Sequence, residues 1–404
     1  MDLSIEGISK RKALLLIIIC FCIFFLGTVG LGGISIRIMV LMLLLIYGIG
    51  NIPKYTDNTI FNWYIIYLIT LLFFSFINQD MQADYFWRNF LSYHFLAIAT
   101  YVGFSSLIRR RSELLFLIYI LMAIMSINAI VTILQFFNNP IGWAIGVLFG
   151  SDLDSVSLYL DSHKMDNFNN VALCSGINGN GVVNGYTIAT FFPIISILLW
   201  CRNKVPRIVG VLIIMVNLIA VYCVQQRMAL LCVLVTFAII LYNKVVVQSN
   251  KLLISCLVLL SVILVCSDLS FSSFDLGRFS LDTDNSNRLS LFEQMQRYLD
   301  SDDSFIGGYD KYCSQYAEQH NTFLDVITRV GVLGFPIFLV YFCITVKKLA
   351  KSFSLKHIDL ECLLSLSGII FILYSQTHSS GIQSGISYYW LIISMLYSSK
   401  RITS

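Results

Sequence analysis

Long apolar runs recur along the chain, separated by short polar connections. A helix that crosses the hydrocarbon core of a bilayer needs about 20 mostly apolar residues. Read on that scale, the sequence predicts twelve spans, near 13–31, 34–50, 60–78, 91–108, 114–137, 181–200, 208–224, 228–246, 252–266, 330–346, 360–376 and 382–397. The eighth and ninth have the shortest strictly apolar stretches. The first is too long for a signal peptide, lacks a small-residue cleavage site and leads at once into the second. The expectation is an all-α polytopic membrane protein, a single integral membrane domain over 1–404 with about 12 transmembrane helices and no internal repeat.

Composition sharpens this. The chain is 57% hydrophobic and 12% charged, where a soluble domain carries about 25% charged residues. Its mean hydropathy is +0.78. A 404-residue chain has no interior large enough to hide so much apolar surface. Disorder, collagen, coiled coil and a disulfide-stapled secreted domain are excluded. The formal charge of +4 is spread over many loops, which argues against a nucleic-acid partner. Of the 11 cysteines, most lie in apolar runs (Cys20, Cys22, Cys232, Cys256, Cys343), where the thiol acts as a small hydrophobe. Cys174 and Cys313 fall in long polar loops and could pair in an oxidising compartment.

Charge then sets orientation. With the N-terminus inside, 18 of the 27 basic residues fall on the inner face, among them Lys10, Arg11, Lys12, Arg109, Arg110, Arg111, Lys400 and Arg401. Eight fall outside: Arg88, Lys164, Arg227, Arg278, Arg288, Arg297, Lys311 and Arg329. Arg37 lies within a span. By the positive-inside rule both termini are expected to be cytoplasmic. Two outer connections are long, 138–180 and 267–329. Loops beyond about 12–15 residues are uncommon unless functional or disordered. The second is rich in aromatic and aliphatic residues, and 287–299 reads as an amphipathic helix with Leu289, Phe292, Met295 and Leu299 at helical spacing. Asp284–Asn287 can cap it. The chemistry is therefore expected on the outer face.

The second long loop ends in His320-Asn321-Thr322, followed by Asp325, Arg329, Gly331, Gly334 and Pro336. Asn321 or Thr322 can cap a helix running into the tenth span. Asp325 and Arg329 stand at i,i+4 in the favourable order, and the glycines with Pro336 allow close packing and a bend. His320 then sits at the helix mouth. An imidazole with a pKa of about 6.5 suits taking a proton from a hydroxyl; the plainer reading is a histidine that bonds its own loop. Arg227 occupies the tight turn between spans seven and eight, and Arg278 and Arg288 lie in the second long loop. Guanidinium groups meet diphosphate oxygens bidentately. Against this, Arg227 can be a snorkelling anchor, and Arg288 can pair with Asp282, Asp284 or Glu293. Arg37, three residues inside its span, is explained by snorkelling, with a phosphate contact as the sharper alternative. Asn180, Asn184 and Tyr186 read as packing groups before sugar ligands. His94 and His357 show no partner in the sequence. His163 reads as surface, and His378 is a minor second candidate. No metal-ligand spacing is present, and Asp300–Asp303 reads as a solvated turn before a Ca²⁺ site.

The His-Asn-x9-Gly-x-x-Gly element resembles the signature of the O-antigen polymerase/O-antigen ligase superfamily of bacterial membrane glycosyltransferases. The Arg227 turn before a Leu-rich span, and Asn287-Arg288-Leu289-Ser290-Leu291-Phe292 with the later Ile306-Gly307-Gly308, resemble further parts of that pattern. The likeness covers about 220–345; the first five spans match only in hydropathy. It implies a glycan donor on undecaprenyl diphosphate at the outer face of the cytoplasmic (inner) membrane. It also implies His320 as catalytic base, Arg227 and Arg288 on the diphosphate, and supporting contacts from Arg278, Asn321 and Arg37. Inverting transfer without metal or other cofactor follows. The partners implied are the bilayer, the lipid-linked oligosaccharide, and the chain-length regulator and flippase of the same pathway. Three readings stand: a polymerase of repeat units, preferred because such enzymes are the more numerous; a ligase moving the glycan to lipid A-core; and a lipid-linked sugar transporter or flippase. A transporter is disfavoured by the absence of a repeat and of ionisable groups at mid-span.

Overall fold

A computed structural model of the protein describes residues 7–26, 30–31, 34–50, 58–82, 86–87, 90–137, 139–149, 174–177, 181–200, 204–224, 226–243, 293–308, 321–376 and 387–403. The described chain is helical. In order come α1 (Lys10–Phe24), α2 (Ile36–Ile49), α3 (Thr59–Ile77), α4 (Leu96–Leu107), α5 (Arg111–Phe136) and α6 (Pro140–Leu148). They are followed by α7 (Gly181–Ile195), α8 (Lys204–Val224), α9 (Arg227–Leu241), α10 (Thr322–Ser352), α11 (Leu360–Ser375) and α12 (Ser387–Thr403). A π-helical turn, Phe90–Phe95, leads into α4, and a 3-10 turn, Ser196–Trp200, continues α7. Between α1 and α2, β1 (Gly30–Leu31) and β2 (Ile34–Ser35) pair as a minimal hairpin, and Ser35 then caps α2. Eleven of the twelve apolar runs thus coincide with described helices. The ninth, 252–266, lies outside the described residues. One helix went unforeseen: α6 sits inside the first long loop. Asn139 caps it and Pro140 takes its first position, the pairing that starts helices well.

Five helices are long and apolar enough to cross a membrane: Thr59–Ile77, Arg111–Phe136, Val183–Trp200, Arg207–Val224 and Thr322–Ser352. Their surfaces say the same. A soluble helix turns polar residues outward. In α3 the outward residues include Ile66, Ile69, Phe73 and Phe76, with Asn62 exposed near its start, and in α5 they include Ile127 and Ile130, while Asn128, Thr132 and Gln135 of α5 are wholly buried. Apolar groups outside and hydrogen-bonded polar groups inside is the arrangement a bilayer selects. The protein therefore has the character of a helical membrane protein.

The chain divides into two compact units, one built from 3–121, 284–352 and 364–404, the other from 122–283 and 353–363. In the first, α4 packs on α2 and α12, and α10 packs on α3. Trp390 and Tyr64, Tyr67, Tyr101, Tyr341 and Tyr389 fill its centre, with Tyr64 tilted 4.5 Å from Trp390 and Tyr67 stacked on Tyr341. Helix ends are closed by charged side chains. Glu113 accepts from the backbone N–H of Arg109 and Arg110 and from Lys12 Nζ at 2.5 Å. Arg401 donates to the Ser105 and Ile108 carbonyls at the end of α4. These contacts satisfy groups that a helix terminus leaves orphaned.

The second unit is held by amides. Asn128 Nδ2 donates to Asn184 Oδ1 at 2.7 Å, and Asn184 donates in turn to Thr132 and to the Cys174 carbonyl. Gln135 pairs with both backbone groups of Gly176, accepting from its N–H at 2.9 Å and donating to its carbonyl at 3.2 Å. Gly176 has φ +57°, and a Cβ there would lie 2.2 Å from Asn128 Oδ1. The turn 174–177, where the first long loop returns, is thereby pinned to α5 and α7. Asn184 is a packing residue, as the sequence favoured. Asn180 and Cys313 lie outside the described residues, and with Cys313 goes any pairing with the buried Cys174.

Candidate functional site

The start of α10 is the part of the site that the described residues contain. Asn321 is its cap: Oδ1 accepts from Phe323 N at 2.9 Å and from Leu324 N at 3.3 Å. The same amide donates through Nδ2 to the Gln376 carbonyl at 3.1 Å, and Thr322 Oγ1 donates to the Ser375 carbonyl at 2.7 Å. One side chain thus serves free N–H groups at the start of α10 and a free carbonyl just past the end of α11, where no intrahelical partner exists. One turn on, Asp325 and Arg329 form the expected pair, with two contacts of 3.4 Å. Asp325 is buried and Arg329 half-buried.

At Gly331 the helix breaks. Its backbone is φ +65°, ψ 179°, outside helical space, and a side chain there would strain. The break is filled by residues 305–308 of the second long loop. Gly308 N donates to the Thr328 carbonyl at 3.0 Å, and Leu333 N donates to the Phe305 carbonyl at 3.2 Å. Both α10 groups are ones that the break strips of helical partners. Asn78, at the end of α3, donates to the Ile306 carbonyl at 2.9 Å. The approach is tight: a Cβ on Gly307 would lie 2.5 Å from Gly331 N, and one on Gly331 would lie 2.5 Å from Gly307 N. Gly334 faces Phe74 at similar range. The bend expected from Gly331, Gly334 and Pro336 is present, and its seat is Gly331. Beyond it, 332–352 is about 30 Å long, enough to span a hydrocarbon core.

The loop helix is described over 293–299. Met295 and Tyr298 form its buried face, against Leu324 and Ile327 of α10. The helical spacing places Leu299 on the apolar stripe; it is exposed instead, and Tyr298 takes its place. The helix ends at that point, so the i,i+3 neighbour of Met295 meets α10 while the i,i+4 neighbour points away. Below this lies a polar group the sequence missed. His94 is buried, and its Nδ1 shares a hydrogen bond of 2.9 Å with Tyr64 Oη. The buried Tyr67 hydroxyl has no hydrogen-bond partner among the described residues. Only the apolar run around His94 was visible in sequence; its partner lies on another helix.

Of the other expected site residues, His320, Arg278 and Arg288 lie outside the described residues, as does His378. Arg227 opens α9, with Gln226 as its cap residue. Arg37 lies in the first turn of α2, half-buried, with a shielded Nε that has no hydrogen-bond partner among the described residues. Among the described residues no three His, Cys, Asp or Glu side chains gather to hold a metal. Asp302–Ser304 form a 3-10 turn, and the Ser301 hydroxyl before it donates to the Tyr298 carbonyl. What the described residues assemble is a braced helix mouth, directly after His320 in the chain, with the Asp325–Arg329 pair one turn on and a buried Tyr64–His94 hydrogen bond in the same unit. In comparisons with known proteins, no family model, no curated protein and no solved structure matches the chain.

Proposed function

We propose that the protein is a glycosyltransferase of the cytoplasmic membrane. It would join oligosaccharide repeats carried on undecaprenyl diphosphate into a surface polysaccharide at the outer membrane face, through twelve spans with both termini cytoplasmic. His320 takes the proton of an acceptor sugar hydroxyl. That oxygen attacks the anomeric carbon of the donor glycan, the bond to the diphosphate breaks, and the configuration inverts. Arg227 and Arg288 hold the departing diphosphate, with Arg278, Asn321 and Arg37 in supporting contact. No nucleotide sugar is needed.

The observation that carries this reading is the doubly tied Asn321. A general base has to be held within hydrogen-bond reach of its proton, and the residue next to His320 is fixed to two helices at once. The Gly307–Gly331 junction supports it further by tying residues 307–308 of the same loop to α10.

A His320→Ala strain examined on a glycan ladder is the test. A single repeat on the final acceptor, with longer chains missing, is the expected outcome. Bare acceptor with long glycan accumulating on the lipid carrier would instead mark a ligase that transfers to lipid A-core. An unchanged ladder would end the catalytic role of His320. Arg227→Ala and Arg288→Ala should each impair transfer while membrane insertion, read by topology tags, stays intact.

A further inference from the structure

A groove of about 570 Å³ lies among α1, α2 and the end of α4, in the unit that contains α10 but built from other helices. Its walls are two facing apolar stripes. Leu15, Ile18 and Ile19 come from α1, and Val40, Leu43 and Leu44 from α2. Both follow i,i+3,i+4 spacing, so each presents one helix face. Much of this wall is uncovered: Leu43 is 66% exposed and Ile18 50%. One end is different. Arg11, Lys12 and Arg109 line it, with Tyr47 beside them, and no described lining residue is acidic. Arg110 and Arg111 follow Arg109 in the chain and are also exposed.

The three cations are not equivalent. Lys12 is committed to Glu113. The Glu113 carboxylate is shared between Lys12 and the backbone amides of Arg109 and Arg110 just before α5, and none of its hydrogen bonds goes to the guanidinium of Arg11 or Arg109. Arg109 spends Nε on the Ser106 carbonyl, which orients the guanidinium and leaves its two terminal nitrogens. The groove is therefore apolar along its length and cationic at one end. Along α1 the step from Arg11 to Ile19 is about 12 Å, close to the depth of one leaflet of a core about 30 Å thick.

We infer that this groove is a binding site for an anionic diacyl phospholipid, its phosphate on Arg11 and Arg109 and an acyl chain against Leu15, Ile18, Val40 and Leu43. Cations at the membrane surface draw anionic headgroups, and the tyrosine beside them suits the interface. A free phosphate has no use for the apolar wall. A second copy of the chain docked through the same face would bring the same cations together. A lipid satisfies both ends.

The test uses the full chain in zwitterionic micelles, with native mass spectrometry reading bound lipid. Dioleoyl phosphatidylglycerol should be retained in preference to dioleoyl phosphatidylcholine. The Arg11→Gln/Arg109→Gln double variant should weaken phosphatidylglycerol retention roughly tenfold or more, leaving phosphatidylcholine unchanged. Lys347→Gln/Lys351→Gln, which removes the same charge at the end of α10, should change neither. Leu43→Trp keeps every charge and fills the wall; it should lower retention too, and stands as the readout if the double variant fails to fold. The site is refuted by equal retention of the two lipids, by equal loss in the Lys347/Lys351 variant, or by displacement with inorganic phosphate alone. A groove that is occupied only in a dimer would refute it as well.

Discussion

Asn321 does two jobs with one amide, and they can be separated. Asn321→Ala removes the cap, at a cost of about 1 kcal/mol, and also strips the Gln376 carbonyl of its donor. Asn321→Asp keeps the acceptor and loses only the donor. Thermal unfolding in detergent should therefore rank native above Asp above Ala, and an Asp variant as unstable as Ala would place the whole effect on the Gln376 contact. Gly331 makes a stricter demand, because its φ is +65° and Gly307 stands where its Cβ would go. Gly331→Ala should expel the 305–308 segment and open it to limited proteolysis, with α10 itself kept. No change in cleavage would mean that the junction yields more easily than its geometry indicates.

At the scale of elements, the sequence carried the helices and missed their ties. Apolar runs marked eleven described helices because a bilayer-facing helix is apolar all round, a signal that survives without any partner in view. The cap at Asn321 and the pair Asp325–Arg329 were legible because both are local, within a turn of each other. His94 with Tyr64 was not, since the partners sit 30 residues apart on separate helices. Nor was the Gly307–Gly331 junction, in which each glycine explains the other. Helix α6 carries a local start signal in Asn139-Pro140, but its 9 residues fall well short of a span, so the apolar-run criterion passes over it. The amide network of α5 and α7 belongs to this scale too. Asn128→Ala and Asn184→Ala should each cost about 1–3 kcal/mol by leaving buried amides unpaired. Their double variant should cost less than the sum, by a coupling of about 0.5–3 kcal/mol. Additive losses in equilibrium unfolding would show that the two amides act independently.

For the whole molecule, the placement of basic residues makes the sharpest claim. Single cysteines introduced near Lys10 and near Arg401 should be shielded from an impermeant thiol reagent in intact cells, and one introduced near Asp303 should react. Labelling near only one terminus would mean an odd number of spans. The break in α10 also bears on how such a chain is made. The groups that the break leaves unmatched are met by residues 305–308, which lie earlier in the chain. During synthesis from the N-terminus, the filling segment has already emerged when the helix that needs it is released. Residues 305–308 then stand as a template that α10 closes upon. Transplanting α10 without it would carry away a helix with a hole in its ladder.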